Sequence, residues 1–270
     1  MIKISIIIPT WNTADITLKC VKTIVKYLPE NYFEIIIVDN GSTDDTSIKI
    51  NSLKNRNLKL EILPNNTGFS HANNIGVKQA TGEYLFFLNS DMELIDNSLI
   101  NMVKYLEENT RVGVIGPQFL NIDLSPQASV FPPQTPLNAI KEFWLGYKYS
   151  YTKYVPQSKI PTMVSIISGG ALLISRKLFQ QIGGWDERYF FFSEDLELCR
   201  QVTKAGYKVA YYPNCQVIHR HGASGKSLAD EANQWRRLVP SSKIYHGLFK
   251  HYLLFFITWT RRQWQKLTGY

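Results

Sequence analysis

The first ninety residues alternate short apolar runs with amphipathic stretches, and this alternation constrains the fold more than any other feature of the chain. The apolar runs are rich in Ile, Leu, Val and Phe and are bounded by turn residues, so they are predicted to be strands: Ile4–Ile8, Glu34–Val38, Leu58–Leu63 and Tyr84–Leu88. The stretches between them are predicted to be helices: Asp15–Leu28, Asp44–Leu53 and Ser70–Ala80. This order predicts an α/β fold whose mostly parallel sheet is covered by helices on both faces.

The segments that follow these strands mark the expected ligand site, because ligands bind beyond the carboxyl ends of parallel strands. The segments are Pro9–Asn12, Asp39–Asp45, Pro64–Asn74 and Asn89–Glu93. We expect them to meet at one edge of the sheet.

The pattern changes in the second half of the chain. A helix and a strand are predicted within 96–116, whereas 118–161 is predicted to be irregular because it is rich in proline and holds the aromatic cluster FWLGYKYSYTKY. That segment either passes over the substrate side or packs on its own aromatic rings. Regular structure is predicted to resume with a strand over Val164–Ser175, a helix after Arg176, a helix over Asp195–Ala205 and a strand over Lys208–Tyr212.

The charge of the chain is concentrated at one end. Residues 226–270 hold eight Lys or Arg and two acids, so they carry +6 of the formal net charge of +8. The nearly neutral body argues against a nucleic-acid groove across it. The three cysteines form no C-x-x-C pair, and the apolar run Ile4–Ile8 is stopped by Pro9, so a reducing cytoplasmic setting without a signal peptide is expected.

Two aspartates that follow predicted strands could help to bind a phosphate group. The first strand is followed by PTWN and not by a glycine-rich phosphate loop, so a bound diphosphate would need another counter-charge. Asp91, which follows a very apolar strand, could hold a divalent cation against phosphate oxygens. The alternative is that Asp91 and Asp39 only form turns, as strand-end aspartates commonly do.

Acidic and basic groups that could transfer protons or bind metal occur later in the sequence. Glu194 and Asp195 follow the aromatic run 189–192, where burial should raise the pKa of at least one of the two carboxyls, as a general base requires. The alternative is that Ser193 or Asp195 caps the following helix. His219 and His221 follow the end of a predicted strand, and one of them is expected to face a metal or phosphate.

Five ordered motifs then resemble those of the family 2 inverting glycosyltransferases of GT-A fold, especially the bacterial rhamnosyltransferase-like branch. They are SIIIPTWN, IIIVDNGSTDDT, NNTGFSHANNIGVKQATGEYLFFLNSDMEL, SGGALLISRKLFQQIGGWDERYFFFSEDLELCRQVTKAGYKVAYYPN and VIHRHGASGKS. The resemblance covers roughly residues 2–227. It implies a Rossmann-like catalytic domain over 1–225, with a mostly parallel central sheet flanked by helices, followed by a basic amphipathic helical tail over 226–270.

The resemblance also implies roles for individual residues. Those matching the nucleotide-sugar site are Thr10, Asp39, Asn66, Gly68, Asn74 and Asn89, the last standing where the family's D-x-D motif has its first acid. Asp91 matches the last acid of that motif, and His219, or less favourably His221, would share a Mg or Mn cation with it. Asp195 matches the catalytic base, with Glu194 beside it. Trp185 and Asp186 could contact the sugar, although a buried structural role is favoured for Trp185.

The implied reaction is a single displacement that inverts the anomeric configuration. The donor would be a dTDP- or UDP-linked sugar, with rhamnose favoured, and the acceptor a lipid-linked glycan of a bacterial surface polysaccharide. A nucleotidyltransferase should show a glycine-rich and basic loop after the first strand, which SIIIPTWN lacks. A catalytically inactive sugar- or lipid-binding module is less favoured, because Asp91 and Asp195 are both present.

The tail is predicted to bind the anionic inner face of the plasma membrane without crossing it. On a helical wheel one apolar face comprises Ile244, Leu248, Tyr252, Phe255 and Trp259, and the opposite side carries Lys243, Lys250 and Arg261. The apolar run 252–259 is too short for a span, which needs about 20 residues. The alternative is that the tail packs on the catalytic domain or on a second subunit, as in a homodimer.

Overall fold

A computed structural model describes residues 2–220 and 235–268. Its strands are β1 (Ile4–Thr10), β2 (Phe33–Asp39), β3 (Leu58–Ile62), β4 (Tyr84–Leu88), β5 (Met92–Leu94), β6 (Val112–Leu120), β7 (Pro126–Gln127), β8 (Val130–Phe131), β9 (Thr162–Val164), β10 (Ile166–Ile167), β11 (Ala171–Ser175) and β12 (Lys208–His219). Its helices are α1 (Ala14–Tyr27), α2 (Thr46–Asn51), α3 (Phe69–Lys78), α4 (Leu99–Glu108), α5 (Pro136–Phe143), α6 (Arg176–Gln181), α7 (Glu194–Lys204) and α8 (Trp235–Thr268).

The main sheet has the mixed α/β topology that the sequence predicts. Its strand order is β3-β2-β1-β4-β11-β6-β12-β5. The four N-terminal strands β3, β2, β1 and β4 run parallel, β12 runs parallel to β6, and β11 and β5 are antiparallel to their neighbours. In the register of β1 with β2, Thr10 lies opposite Asp39, so the residues after these strands meet at one edge.

Helices cover both faces of the sheet, and both faces are apolar. In β1, Ile4, Ile6 and Ile8 belong to one core cluster while Ile7 belongs to the other, because successive side chains of a strand point to opposite faces. Every residue of β4 is buried. Burying such a side chain contributes about 1.5–3 kcal/mol, so the sheet interior fixes the strands that carry the site.

Three predicted segments differ from the structure. The single strand expected over Val164–Ser175 is divided into β9, β10 and β11. Before β11, Gly169 N–H donates to a side chain and Gly170 O accepts from Asn89 N–H, so these two groups do not take part in regular strand pairing. The irregular segment 118–161 contains α5, which begins at Pro136 and is capped by Thr135, whose Oγ1 accepts from Asn138 N at 3.2 Å. The last predicted strand continues past Tyr212 to His219 through an irregular register.

The tail helix α8 is bent, which corrects the predicted apolar wheel. Gly247 adopts φ +73°, so Ile244 and Leu248 do not share one continuous helical face. After the bend, Leu254 and Ile257 pack on α5, while Leu248 and Tyr252 are exposed. Within the described ranges, no helix is both long and apolar enough to cross a membrane.

The first half of α8 packs on the body of the protein. Arg200 of α7 donates to Tyr245 O at 3.1 Å and its guanidinium lies 4.7 Å from the centre of the Tyr245 ring. Ser241 Oγ donates to Phe191 O at 2.9 Å. The expected alternative, a tail that packs on the catalytic domain, therefore holds for both halves of the helix, because the second half packs on α5.

A buried carboxylate, Glu34, ties three segments of the sheet together. Its oxygens accept from Ser5 Oγ at 2.7 Å and from Thr81 N at 2.6 Å, and they pair with Lys59 Nζ at 2.8 Å. Burial alone would raise the pKa of Glu34, but these hydrogen bonds outweigh it and lower the pKa to about 2.

We predict that Glu34→Gln lowers the free energy of unfolding by about 1–3 kcal/mol at neutral pH, because it leaves charged and polar partners unsatisfied. A lowered carboxyl pKa contributes stability above the unfolded pKa of 4.5 that is lost as the pH falls through about 2. The deficit should therefore shrink in urea titrations at acidic pH. The exposed variant Glu30→Gln is the control, and a deficit independent of pH would contradict the prediction.

Candidate active site

A cavity of about 540 Å³ opens between the carboxyl edge of the sheet and the start of α7. It is lined by the four residues for which the sequence predicts chemistry: Asp91, Glu194, Asp195 and His219. A smaller cavity beside it is lined by Thr10, Asn66, Gly68 and Asn89, among others. Asn89 lines both cavities, so the two form neighbouring parts of one site.

Asp91 and His219 meet at one end of the larger cavity. His219 Nε2 lies 3.6 Å from Asp91 Oδ1, and Asp91 is 2% exposed. The other ring nitrogen, Nδ1, is 2.6 Å from Gln127 Oε1, which can only accept. Nδ1 therefore donates to Gln127, and Nε2 is the ring nitrogen turned towards Asp91 and suited to binding a metal.

The possible metal ligands at this end of the cavity are suited to a divalent cation but do not complete its coordination. Asn89 Oδ1 is buried and accepts no hydrogen bond within the described part of the chain. One carboxylate, one imidazole and one amide oxygen are ligands that Mg or Mn accepts. Groups of three His, Cys, Asp or Glu side chains able to hold a metal do not occur in 2–220 or 235–268, so further oxygens would come from a bound diphosphate or water.

Asp195 lines the same cavity and is held by backbone groups. Its Oδ2 accepts from Gly169 N at 3.0 Å and its Oδ1 accepts from Leu196 N at 2.9 Å. A side chain at Gly169 would crowd this contact, because its Cβ would lie 3.2 Å from Asp195 Cβ. Asp195 is 8% exposed, so the carboxylate is fixed in direction and meets the cavity through a narrow face.

The residues before α7 adopt a conformation that side chains disfavour. Phe192 and Ser193 have φ values of +73° and +66°. Each such residue costs about 1–3 kcal/mol unless the surroundings stabilise it, and such strain is concentrated at functional sites. Ser193 makes no side-chain cap hydrogen bond, so the alternative in which it merely caps α7 is not supported.

Glu194 carries the raised pKa that the sequence predicts for this acidic pair. Burial, and then the charge of Asp195, raise its pKa to about 8, while Lys153 opposes the shift. Its Oε2 has no hydrogen-bond partner among the described residues. Glu194 is therefore mainly protonated at neutral pH and can donate a hydrogen bond into the cavity.

The predicted nucleotide residues line the smaller cavity or support it. Asn66 Oδ1 accepts from Asn40 Nδ2 and Gly68 N, both at 3.0 Å. Gly68 has φ +92°, and a Cβ there would lie 2.6 Å from Phe190 O, so only glycine fits. Thr10 Oγ1 is bonded to Thr13 and Thr17 at 2.8 and 2.7 Å, which holds the wall of the cavity.

Asp39 lies behind this wall. It is 1% exposed, and its Oδ1 accepts from Ser42 N at 2.9 Å, which is the turn geometry foreseen as its alternative role. Its neighbour Asn40, which the sequence motifs did not single out, lines the cavity instead. The sequence signal for a cavity residue at this position was the polar pair Asp39-Asn40 after the strand. Which of the two lines the cavity depends on the side that each residue faces at the strand end.

Three expected sugar or nucleotide contacts have structural partners instead. Trp185 is 2% exposed, with the rings of Phe69 and Phe87 at 5.4 and 5.1 Å, so no face is open for stacking. Asp186 forms a two-point ion pair with Arg188. Asn74 Nδ2 donates to Trp185 O at 2.8 Å and thus anchors this turn. None of the three lines either cavity described above.

Sequence reasoning missed several residues of the site. Gln127 and Gly169 act through contacts with residues far away in the chain, so no local motif marks them. Lys153, within the aromatic cluster, lines the larger cavity, with Nζ 3.4 Å from Ser168 Oγ. His221, the alternative to His219, lies outside the described residues.

Comparison with known families identifies the chain. Residues 5–183 match the family described as glycosyl transferase family 2. The chain belongs to glycosyl transferase family 2. A second match, to glycosyl transferase family group 2, covers residues 128–268 and therefore includes the acidic pair and α8 of this family 2 member. The resemblance inferred from the motifs is confirmed.

Bacterial relatives of this family 2 chain include two rhamnosyltransferases. It is 26% identical over 219 residues to N-acetylglucosaminyl-diphospho-decaprenol L-rhamnosyltransferase of Mycobacterium tuberculosis, covering 72% of the chain and 69% of the relative. It is 26% identical over 221 residues to rhamnosyltransferase WbbL of Escherichia coli, covering 76% and 80%. The O-antigen biosynthesis protein RfbC of Myxococcus xanthus is 27% identical over 86% of the chain, but the chain spans only 18% of RfbC.

Solved structures share the fold. A mannosyltransferase from Pyrobaculum calidifontis in complex with GDP-Man and Mn²⁺ aligns with a TM-score of 0.66 at 18% identity, over 99% of this chain and 76% of that one. GalNAc-T7 with UDP, GalNAc and Mn²⁺ aligns with a TM-score of 0.65 at 18% identity, over 82% and 44%. At this identity the likeness establishes the GT-A fold of the family 2 chain and nothing more.

We predict that Glu194→Gln changes how stability depends on pH. A raised carboxyl pKa contributes stability that is complete below the unfolded value of 4.5 and is lost as the pH rises through about 8. The wild-type advantage over the Gln variant should fall by on the order of 1 kcal/mol per pH unit across that window. Denaturant unfolding over the window measures it, with the exposed variant Glu108→Gln as control. A constant difference would show that Glu194 is not protonated when buried.

Proposed function

We propose that this protein transfers a sugar, rhamnose being favoured, from a nucleoside diphosphate to a hydroxyl of a lipid-linked glycan in bacterial surface polysaccharide synthesis. The observation that carries the proposal is the joint lining of one cavity by the Asp91–His219 pair and by Asp195. The rhamnosyltransferase names of relatives of the family support the sugar and acceptor class. The reaction is proposed to be inverting and dependent on a divalent cation.

Asp195 is the proposed general base. Its carboxylate takes the proton from the acceptor hydroxyl while that oxygen attacks the anomeric carbon, and the bond from that carbon to the diphosphate breaks in the same step. The hydrogen bonds from Gly169 and Leu196 hold the carboxylate in position during the attack. Attack from the side opposite the leaving group gives inversion.

Asp91 and His219, with Asn89 beside them, are the proposed ligands of the cation. Bound there, Mg or Mn would stabilise the negative charge that the departing diphosphate acquires. Gln127 fixes the His219 ring with its Nε2 atom directed towards Asp91. The first strand is not followed by a glycine-rich phosphate loop. The proposed cation would therefore compensate the negative charge of the diphosphate.

The larger cavity also has a wall suited to the acceptor. Gln134, Lys153 and Ser242 line it, from the segments around α5 and from α8. We propose that the acceptor enters along this wall and that the protein acts as a peripheral protein on the inner face of the plasma membrane. The catalytic unit would span 1–225, with the tail 226–270 holding the enzyme at the membrane, and a homodimer is an alternative use of the tail.

A nucleotidyltransferase or an inactive sugar-binding module remains the competing proposal. Incubation with a panel of dTDP-, UDP- and GDP-linked sugars separates them, because a transferase slowly hydrolyses its donor and an inactive module does not. Release of nucleoside diphosphate from one donor only would also identify the sugar. Pyrophosphate release from a nucleoside triphosphate and a sugar phosphate would favour the nucleotidyltransferase.

We predict that Asp195→Asn lowers transfer by about 10²- to 10⁴-fold, because an amide of the same size cannot accept the proton. Donor binding, measured by calorimetry, should remain close to wild type. The matched control is Asp186→Asn, which removes an acid that pairs with Arg188 and should leave transfer almost unchanged. Near-normal turnover of the Asp195 variant would move the base to another residue, with Glu194 the first candidate.

We predict that chelation of divalent cations stops transfer and that added Mn²⁺ or Mg²⁺ restores it. Asp91→Ala should remove most activity and also weaken Mn²⁺ binding in the presence of nucleoside diphosphate, as followed by electron spin resonance. Gln127→Leu should weaken Mn²⁺ binding by about 10- to 100-fold through the orientation of His219. Full transfer by chelator-treated protein would exclude the cation.

A further inference from the structure

The second half of α8 leaves a continuous apolar surface open to solvent. Its large side chains are between 47% and 81% exposed: Leu248, Phe249, Tyr252, Phe255, Phe256 and Trp259. The inner side of the same helix is already satisfied, because Leu254 and Ile257 pack on Ala139 of α5. Exposed patches of this kind mark interaction surfaces, since soluble proteins seldom leave such rings in water.

Helix α5 has the same two-sided character. Ala139 and Phe143 face α8, whereas Leu137, Ile140 and Trp144 are 61%, 38% and 40% exposed. These three positions recur at helical spacing and therefore form one outward stripe. The stripe lies in the segment that the sequence indicated only as an irregular excursion.

Trp144 joins the two outward faces. Its Nε1 donates to Ile257 O at 3.2 Å, and its ring centre lies 6.4 Å from that of Trp264. We call the exposed side chains of α5 and of the second half of α8 the aromatic platform. Because Trp144 contacts α8 directly, the platform is one surface and not two separate patches.

The platform is also positively charged. Residues 246–268 contain no acid, and their cations are Lys250, Arg261, Arg262 and Lys266. Lys141 is exposed beside Ile140 on α5, and the one acid of α5, Glu142, accepts hydrogen bonds from Tyr151 and Thr152. Within the described ranges, none of these cations pairs with a carboxylate at 4 Å or less.

We infer that α5 and the second half of α8 together form one docking surface for an anionic lipid bilayer, in which α5 inserts side chains of its own. Exposed Trp and Tyr beside unpaired Lys and Arg match the headgroup layer of such a bilayer better than an apolar protein partner. The inference rests on the proposed lipid-linked acceptor for its purpose, but it concerns a separate surface.

The platform lies next to the acceptor wall of the cavity. Gln134 and Tyr151, which flank α5 in the chain, line the cavity, as do Ser242 and His246 just before the bend of α8. Docking of both helices on a bilayer would therefore bring the cavity mouth to the membrane surface. A phosphate-linked sugar on a membrane lipid could then reach Asp195 while its chain stays in the bilayer.

The inference is tested in the full chain with Leu137→Ser combined with Ile140→Ser. The matched control combines Ile48→Ser and Ile62→Ser, two exposed apolar residues on α2 and β3, away from the platform. Binding is measured by co-sedimentation with phosphatidylcholine vesicles that contain about a third phosphatidylglycerol, near the physiological salt range in which surface charges still act over about 8 Å. Thermal unfolding of each variant shows that it is folded.

We expect the α5 variant to bind these vesicles at least tenfold more weakly than wild type, since it withdraws two side chains from insertion. The control should bind as wild type, and all proteins should bind pure phosphatidylcholine weakly. A variant that replaces Lys250, Arg261 and Arg262 by Gln should lose the salt-sensitive part of the binding.

Wild-type binding by the α5 variant would overturn the inference for α5. Absence of vesicle binding by wild type, together with a dimer in light scattering that the α5 variant abolishes, would assign the platform to a second copy of the chain. Donor hydrolysis in solution is measured in parallel. It should be unchanged in the α5 variant, so failure of the docking surface can be distinguished from failure of the proposed transferase.

Discussion

The antiparallel pairing of β12 with β5 is the interaction on which the proposed metal site depends. In that register His219 lies opposite Met92, which places its imidazole beside Asp91, although the two residues are far apart in the chain. A slip by one residue would turn the ring to the other face of the sheet. The same strand runs parallel to β6, whose partner β7 supplies Gln127, so one sheet fixes both the ring and its tautomer.

The backbone just before the acidic pair Glu194 and Asp195 is strained, and hydrogen bonds from other segments hold it in place. Phe192 and Ser193 are held in a disfavoured conformation, and the loop before them is fastened by Phe69 N donating to Phe190 O and by Ser241 Oγ donating to Phe191 O. The second contact comes from α8, so the tail also supports the catalytic loop. Removing the whole tail would therefore disturb the acids as well as the proposed membrane contact, which is why point variants of exposed residues separate the two effects.

Sequence was sufficient where the signal is local. The strands β1 to β4 were predicted to within about two residues because Ile-rich runs between turn residues leave few alternatives. The residues Asp91, Glu194, Asp195 and His219 were found together because they occupy ordered motifs. What sequence missed depends on distant partners: Gln127, Gly169 and the helix α5 acquire their roles only once β6, β7 and α8 are in place. Trp185 was assigned to the sugar because exposure cannot be read from residue type, and the rings of Phe69 and Phe87 cover it.

The two groups of polar side chains that line the cavity also differ in charge, and the proposed reaction depends on this difference. At the sheet edge, a buried carboxylate, an amide oxygen and an imidazole face the cavity, a set that favours a cation and, with it, a diphosphate. At α7, burial keeps Glu194 mainly protonated at neutral pH, so the acidic pair does not present two adjacent charges to an incoming hydroxyl. In the proposed reaction, a donor bound by its diphosphate at the sheet edge shares the cavity with Asp195. The proposed acceptor enters the same cavity along the wall to which residues beside α5 and residues of α8 contribute, and that wall lies next to the aromatic platform.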